Sequence, residues 1–124
     1  MDRFNQISMF CKYTQVSRET ITSLKKYEKL LIDHNKTLNL IGKSTISEIW
    51  IRHFLDSSQL IDFIDKNEKT LVDLGSGAGF PGLIIAILAK DRKIPLKVNL
   101  IEKSPKKASF LREIIKNLIL DLRF

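Results

Sequence analysis

Four of the chain's five glycines fall within eight residues, Gly75-Ser76-Gly77-Ala78-Gly79-Phe80-Pro81-Gly82, and the cluster sits between two apolar runs. A backbone so rich in glycine turns sharply, reaches conformations closed to other residues and leaves room for a ligand against it. The run before it, Leu71-Val72-Asp73-Leu74, predicts a short buried strand. The run after it, Leu83-Ile84-Ile85-Ala86-Ile87-Leu88-Ala89, predicts a helix buried on most sides. Strand, glycine loop and helix start together predict a site for a nucleotide-like ligand, because free amides point outward where a helix begins. Pro81 is expected in the first helical turn, where its missing N–H costs nothing.

The loop's details narrow the ligand. A Walker phosphate loop requires Gly-Lys-Ser/Thr, which is absent, and the dinucleotide pattern G-x-G-x-x-G would place its third glycine where Phe80 stands. Asp73 puts a carboxylate at the mouth of the loop, where it repels a pyrophosphate and attracts an ammonium. S-adenosylmethionine carries an ammonium on its amino-acid end and no phosphate. The next apolar run, Leu96-Lys97-Val98-Asn99-Leu100-Ile101, closes on Glu102. A carboxylate about 20 residues beyond a glycine loop, at the tip of the neighbouring strand, can accept both ribose hydroxyls. NAD sites use that device too, so an NAD-binding module is set aside on Phe80 and Asp73, not on Glu102.

Around this unit the pattern is helical before and α/β after. Phe4, Ile7, Phe10 and Cys11 have weak helical spacing. Ser17 is placed to cap a helix carrying Ile21, Leu24, Tyr27 and Leu31 to about Asn35, and Gly42 reads as a stop. Thr45-x-x-Glu48 reads as a capping box before Ile46, Ile49, Trp50, His53 and Phe54, and Asp56-x-x-Gln59 as the cap of a further short helix. Trp50 and Phe54 share an apolar face and are read as core. Residues 1–69 are therefore expected to form a helical region, and residues 70–124 a strand-helix-strand-helix region whose last helix follows Ser104-Pro105.

The 124 residues carry a net charge of +7. Residues 1–89 hold 11 basic and 10 acidic side chains, and residues 90–124 hold 10 and 4, so the excess lies toward the end. That suits a polyanionic partner such as RNA; it equally suits a lysine-rich composition and a solvated helix face. Lys103, Lys106 and Lys107, just after Glu102, are candidates to meet RNA or to form a solvated helix start. Arg52 either binds a phosphate or carboxylate at a cofactor or RNA entrance or pairs with Asp56. His53 either joins it there or packs behind Trp50. No apolar run approaches the roughly 20 residues of a membrane span. The lone Cys11 has no partner for an internal disulfide, and no Cys/His cluster suggests a metal. A cytoplasmic protein without membrane or metal is expected.

The run Val72 to Gly82, together with Arg52-His53-x-x-Asp56-Ser57 and Asn35-x-x-x-Asn39-Leu40, closely resembles the GidB (RsmG) family, bacterial methyltransferases acting on a guanine N7 of small-subunit (16S) ribosomal RNA. The resemblance runs from roughly Lys29 onward. It implies an α/β chain, N-terminal helices followed by the first part of a Rossmann-like class I methyltransferase sheet, with S-adenosylmethionine as cofactor. By resemblance, Gly75 and Phe80 contact the cofactor, Gly77 and Gly79 permit its close approach, Asp73 holds its ammonium and Glu102 its ribose. Guanine N7 has an in-plane lone pair and no proton to remove, so alignment is the protein's task and no catalytic base is expected. Members of this family continue into a third strand that helps hold the adenine and on to a seven-stranded sheet, whereas this sequence closes at Leu120-Asp121-Leu122-Arg123-Phe124. The chain is thus expected to be the front part of such an enzyme, whether an artificially shortened fragment or the product of a split or decayed gene, weakly active or inactive alone unless a complementing chain completes it. The alternative is a non-enzymatic remnant with at most residual cofactor or RNA binding.

Overall fold

A computed structural model describes residues 1–118. Helix α1 (Arg3–Thr14) starts behind Asp2, whose Oδ1 accepts from the Asn5 amide at 2.8 Å. Helix α2 (Arg18–Asn35) starts behind Ser17, as its sequence predicts, with Ser17 Oγ accepting from the Thr20 amide at 3.2 Å. The same serine donates through its backbone and its hydroxyl to Asp91 Oδ1, at 3.0 and 2.9 Å, and so ties α2 to a later helix. Ser17→Ala is expected to cost about 1 kcal/mol, read as a thermal midpoint lowered by about 3–6 °C. An unchanged midpoint would deny the cap its weight. At the far end of α2, Asn35 Oδ1 accepts from the amides of Leu40 and Ile41 at 2.8 and 2.9 Å and shapes the turn that follows.

The stretch from Lys43 to Phe63 departs from the expectation of two capped α-helices. It runs as a 3-10 helix (Lys43–Glu48), a π-helix (Trp50–Leu55), a single α turn α3 (Asp56–Ser58) and a second 3-10 helix (Gln59–Phe63), none with a side-chain cap bond. The capping box fails because its members have other partners. Thr45 Oγ1 donates to the Gly42 carbonyl at 2.7 Å, and Glu48 reaches forward to Arg52 at 3.3 Å. The wide π turn brings Trp50, Phe54 and Leu55 inward together, and Trp50 meets Phe10 and Phe54 edge-on at 5.4 and 5.0 Å. In α1 the expected apolar face is displaced. Phe10 is buried, but Phe4 is exposed and Gln6 is buried instead, its amide donating to the carbonyls of Met1 and Ser47 at 3.1 and 2.9 Å.

Strand β1 (Thr70–Leu74), helix α4 (Gly82–Asp91), strand β2 (Lys97–Ile101) and helix α5 (Pro105–Leu118) follow in the order read from the sequence. The strands pair in parallel, from Thr70 opposite Lys97 to Leu74 opposite Ile101, with α4 as the crossover. Every residue of α4 from Gly82 to Ala89 is buried, because the helix lies between the sheet and the helical layer built by α2 and residues 56–63. β1, however, is not buried on both faces. Leu71 and Asp73 turn inward, while Val72 and Leu74 are 52% and 75% exposed beside an exposed Ile101. One hydrophobic cluster joins Phe10, Leu24, Tyr27, Trp50 and Phe54 to Leu83, Ile84, Leu88, Val98, Leu100 and Leu111, so helical and α/β stretches share a core. Among the described residues no helix is long and apolar enough to cross a membrane, and no group of His, Cys, Asp and Glu could hold a metal ion. Residues 119–124, which close the expected second region, lie outside the described residues.

Candidate functional site

The glycine loop begins where β1 ends. Gly75, Gly77 and Gly79 take φ of +72°, +54° and +101°, the left-handed region that a side chain makes costly. Three alternating residues of this kind fold the loop back over the ends of both strands. There the amides of Gly75 and Ser76 donate to the Ile101 carbonyl at 2.7 and 3.2 Å, and Gly79 donates to the Ser76 carbonyl at 2.7 Å. The Gly77 amide donates to Glu102 Oε1 at 2.7 Å, while Glu102 Oε2 accepts from the Ser104 amide at 2.9 Å. At the start of α4, Gly82 donates to Asp73 Oδ2 at 3.0 Å and Leu83 to the Gly79 carbonyl at 2.8 Å.

This geometry narrows the expectation of free outward amides. The amides of Gly75, Ser76, Gly77, Gly79, Gly82 and Leu83 are all taken within the chain, two of them by carboxylates. A phosphate-binding nest needs unclaimed N–H groups and positive potential. Here the loop has committed most of its donors, those of Ala78 and Phe80 excepted, and Asp73 and Glu102 stand beside them. Pro81 likewise sits just ahead of the helix instead of inside its first turn, and the Phe80–Pro81 peptide is cis. Gly82 is required by packing: a Cβ there would lie 2.5 Å from Leu100 Cδ2 and 2.7 Å from Asp73 Oδ2, so glycine lets α4 begin directly on the strands. The helix-to-strand role that dinucleotide folds give to a third glycine at position 80 thus falls two residues later.

The two carboxylates differ electrostatically. Burial pushes the Asp73 carboxyl above its usual value; the Gly82 amide and Ser76 pull it back, and the negative charge of Glu102 pushes it further up. Glu102 is held below the usual range by the Ser104 and Gly77 amides and by the charge of Lys107. An ionised Asp73 is therefore costly in the protein alone and is relieved by a cation. Directly above Gly75 there is open space, and a Cβ on Gly77 would meet only the Gly75 carbonyl, at 3.9 Å. At Gly79 the corresponding space is filled by the Tyr27 hydroxyl and Leu83.

An aromatic group backs the loop. Phe80 stacks with His53 at 5.0 Å and 6° between planes, and with Tyr27 at 5.8 Å and 13°, and it meets Phe54 edge-on. His53 Nε2 lies 2.9 Å from Thr45 Oγ1. Arg52 pairs with Glu48, not with Asp56, and both partners are largely exposed. Lys103 and Lys106 are exposed and Lys107 half-buried where α5 leaves Glu102. The site thus gathers Asp73, Gly75, Gly77, Gly79, Phe80 and Glu102 at the C-terminal ends of two parallel strands. Sequence reasoning missed Tyr27 and Gly82. The available signal for Tyr27 was a phenol on the buried face of α2, because a buried hydroxyl needs a partner.

Burial and the charge of Arg52 lower the His53 pKa, with Asp56 opposing. Below about pH 6.5 the unfolded chain then takes up a proton that the folded chain resists, so stability falls as pH drops toward the lowered folded value. A melting series from about pH 7.5 to pH 5 is expected to show a shallower loss in His53→Gln than in the parent; equal slopes would contradict a half-buried imidazole that resists its proton.

A parallel strand, glycine loop, helix and strand with a carboxylate at each strand tip form the first part of a Rossmann-like sheet. Comparison with known proteins identifies which one. The rRNA small subunit methyltransferase G family (GidB) matches residues 20–124. Ribosomal RNA small subunit methyltransferase G of Jannaschia sp. is 46% identical over 109 residues, covering 88% of this chain and 52% of the relative. The protein of the same name from Rhodospirillum centenum is 50% identical over 101 residues, covering 82% and 44%. That of Pelagibacter ubique is 41% identical over 112 residues, covering 89% and 53%. The chain belongs to the rRNA small subunit methyltransferase G family. It spans about half the length of the curated relatives it matches.

Proposed function

We propose that this chain supplies the cofactor-binding half of an S-adenosylmethionine-dependent methyltransferase that acts in the cytoplasm on a guanine N7 of small-subunit ribosomal RNA. The observation that supports this reading most is the pairing of a loop most of whose amides are already bonded with two carboxylates at the strand tips. Such a mouth favours a ligand that is cationic at one end and carries neutral hydroxyls. Asp73 accepts the ammonium through the lone pairs that Gly82 leaves open, and Glu102 accepts the ribose hydroxyls beyond the Gly77 and Ser104 amides. Gly75 and Gly77, open on their Cβ side, let the ligand lie against the backbone. Gly79 and Phe80 shape the loop's far wall beside it. The cofactor brings an electrophilic methyl group, and the chain's part is to hold it in line with the acceptor nitrogen. Lys103, Lys106 and Lys107, which follow Glu102, and Arg52, exposed beside Glu48, would meet RNA phosphates, where each contact adds affinity without sequence preference.

The test combines this chain, labelled S-adenosylmethionine and undermethylated small ribosomal subunits, with and without a polypeptide spanning the second half of the Jannaschia relative. Little incorporation by the chain alone and N7 labelling by the pair is the expected result. A stable pair that binds cofactor yet transfers no methyl group would favour a non-enzymatic remnant. That second reading draws its support from the apolar sheet face left open at Val72, Leu74 and Ile101.

A further inference from the structure

The helical layer reaches the glycine loop through one polar atom. Tyr27, fully buried on α2, donates its hydroxyl to the Ala78 carbonyl at 2.5 Å, across 51 residues of sequence. Ala78 lies between Gly77 and Gly79, two left-handed positions of the loop, and is itself buried, so its carbonyl has no recourse to bulk water. The same hydroxyl occupies the space a Gly79 side chain would fill, and the same ring stacks on Phe80. Three successive loop residues are therefore set by one side chain. Burial pushes the phenol well above its usual pKa, so it stays a donor across the working pH range.

We infer that Tyr27 is a positioning residue: from α2 it fixes the glycine loop in the one shape that leaves Gly75 and Gly77 open to the ligand, without touching that ligand. The inference rests on the reading of the loop as the cofactor site. Its physical basis is that glycine-rich backbone is locally loose and recovers one conformation only when an external contact selects it. Glu102 holds the Gly77 amide and Asp73 the Gly82 amide; Tyr27 holds the Ala78 carbonyl between them.

The test is Tyr27→Phe, which keeps the ring and its stacking and deletes only the hydroxyl. Hydrogen exchange of the ligand-free protein is followed by peptide, each variant being measured the same interval below its own thermal midpoint. Exchange across residues 75–82 is expected to quicken by about tenfold while peptides from α2 and the centre of α4 keep the parent's rate. The dissociation constant for S-adenosylhomocysteine is expected to rise by a similar factor. Unchanged exchange in the loop, or a quickening shared equally by α2 and α4, would overturn the inference, since the hydroxyl would then serve global stability alone. A parent chain that does not bind S-adenosylhomocysteine, yet shows the local quickening in Tyr27→Phe, would overturn the cofactor reading and leave the positioning role standing.

Discussion

Asp73→Asn is expected to weaken S-adenosylhomocysteine binding by about 10- to 100-fold while leaving the thermal midpoint at pH 7 unchanged or higher. The two halves of that result have separate causes. Asparagine keeps an oxygen for the Gly82 amide, now 3.0 Å from Asp73 Oδ2, so the start of α4 stays capped. What disappears is the charge, and a hydrogen bond to a charged group contributes roughly 1.5–3 kcal/mol. On the stability side, burial and Glu102 raise the Asp73 pKa in the folded chain. A carboxyl raised in this way binds its proton more tightly folded than unfolded, so its contribution is present at low pH and is lost as pH rises through the folded value. A neutral side chain escapes that loss. Calorimetric titration beside a melting curve separates the two effects, and an affinity equal to the parent's would remove Asp73 from the site.

The second large effect falls on the loop backbone. Gly79→Ala is expected to cost about 2–4 kcal/mol, since a methyl there faces the Tyr27 hydroxyl and Leu83 at a φ of +101°. Gly75→Ala, with φ of +72° and nothing within 4 Å of the added carbon, pays only the conformational strain, about 1–2 kcal/mol. Urea unfolding of the pair tests this directly: the Gly79 variant should lose distinctly more, and equal losses would mean that Tyr27 and Leu83 yield to the methyl group. Against a total stability of about 5–15 kcal/mol, the larger figure brings a chain of this size close to unfolding.

How much of this was legible in the sequence depends on whether an interaction is local. Ser17 caps the helix it precedes, and Leu83 to Ala89 are all buried as their unbroken apolarity implies. Strand, helix, strand and helix follow in the expected order, and Asp73 and Glu102 stand at the strand tips. Spacing could not reveal distant acceptors. The Gly77 amide goes to a carboxylate 25 residues on, so it is not free to meet a ligand. Gln6 is buried with its amide donating to the Ser47 carbonyl, 41 residues away, while Phe4, two residues earlier, lies outside. Thr45 and Glu48 match a capping box in type and interval, yet Gly42 and Arg52 hold them. Residues 71–74 read as a buried strand because apolarity alone does not show that the sheet, two strands among the described residues, has an uncovered face at Val72 and Leu74.

The central claim is that the loop between Gly75 and Gly82 receives a nucleoside with a cationic amino-acid arm and refuses a phosphorylated one. Parallel calorimetric titrations of the purified chain with S-adenosylhomocysteine and with NADH address it most directly. The account predicts a dissociation constant on the order of micromolar for the former and no heat from the latter at concentrations of about a millimolar. Binding of NADH as tight as that of S-adenosylhomocysteine, or no heat from either, would contradict it.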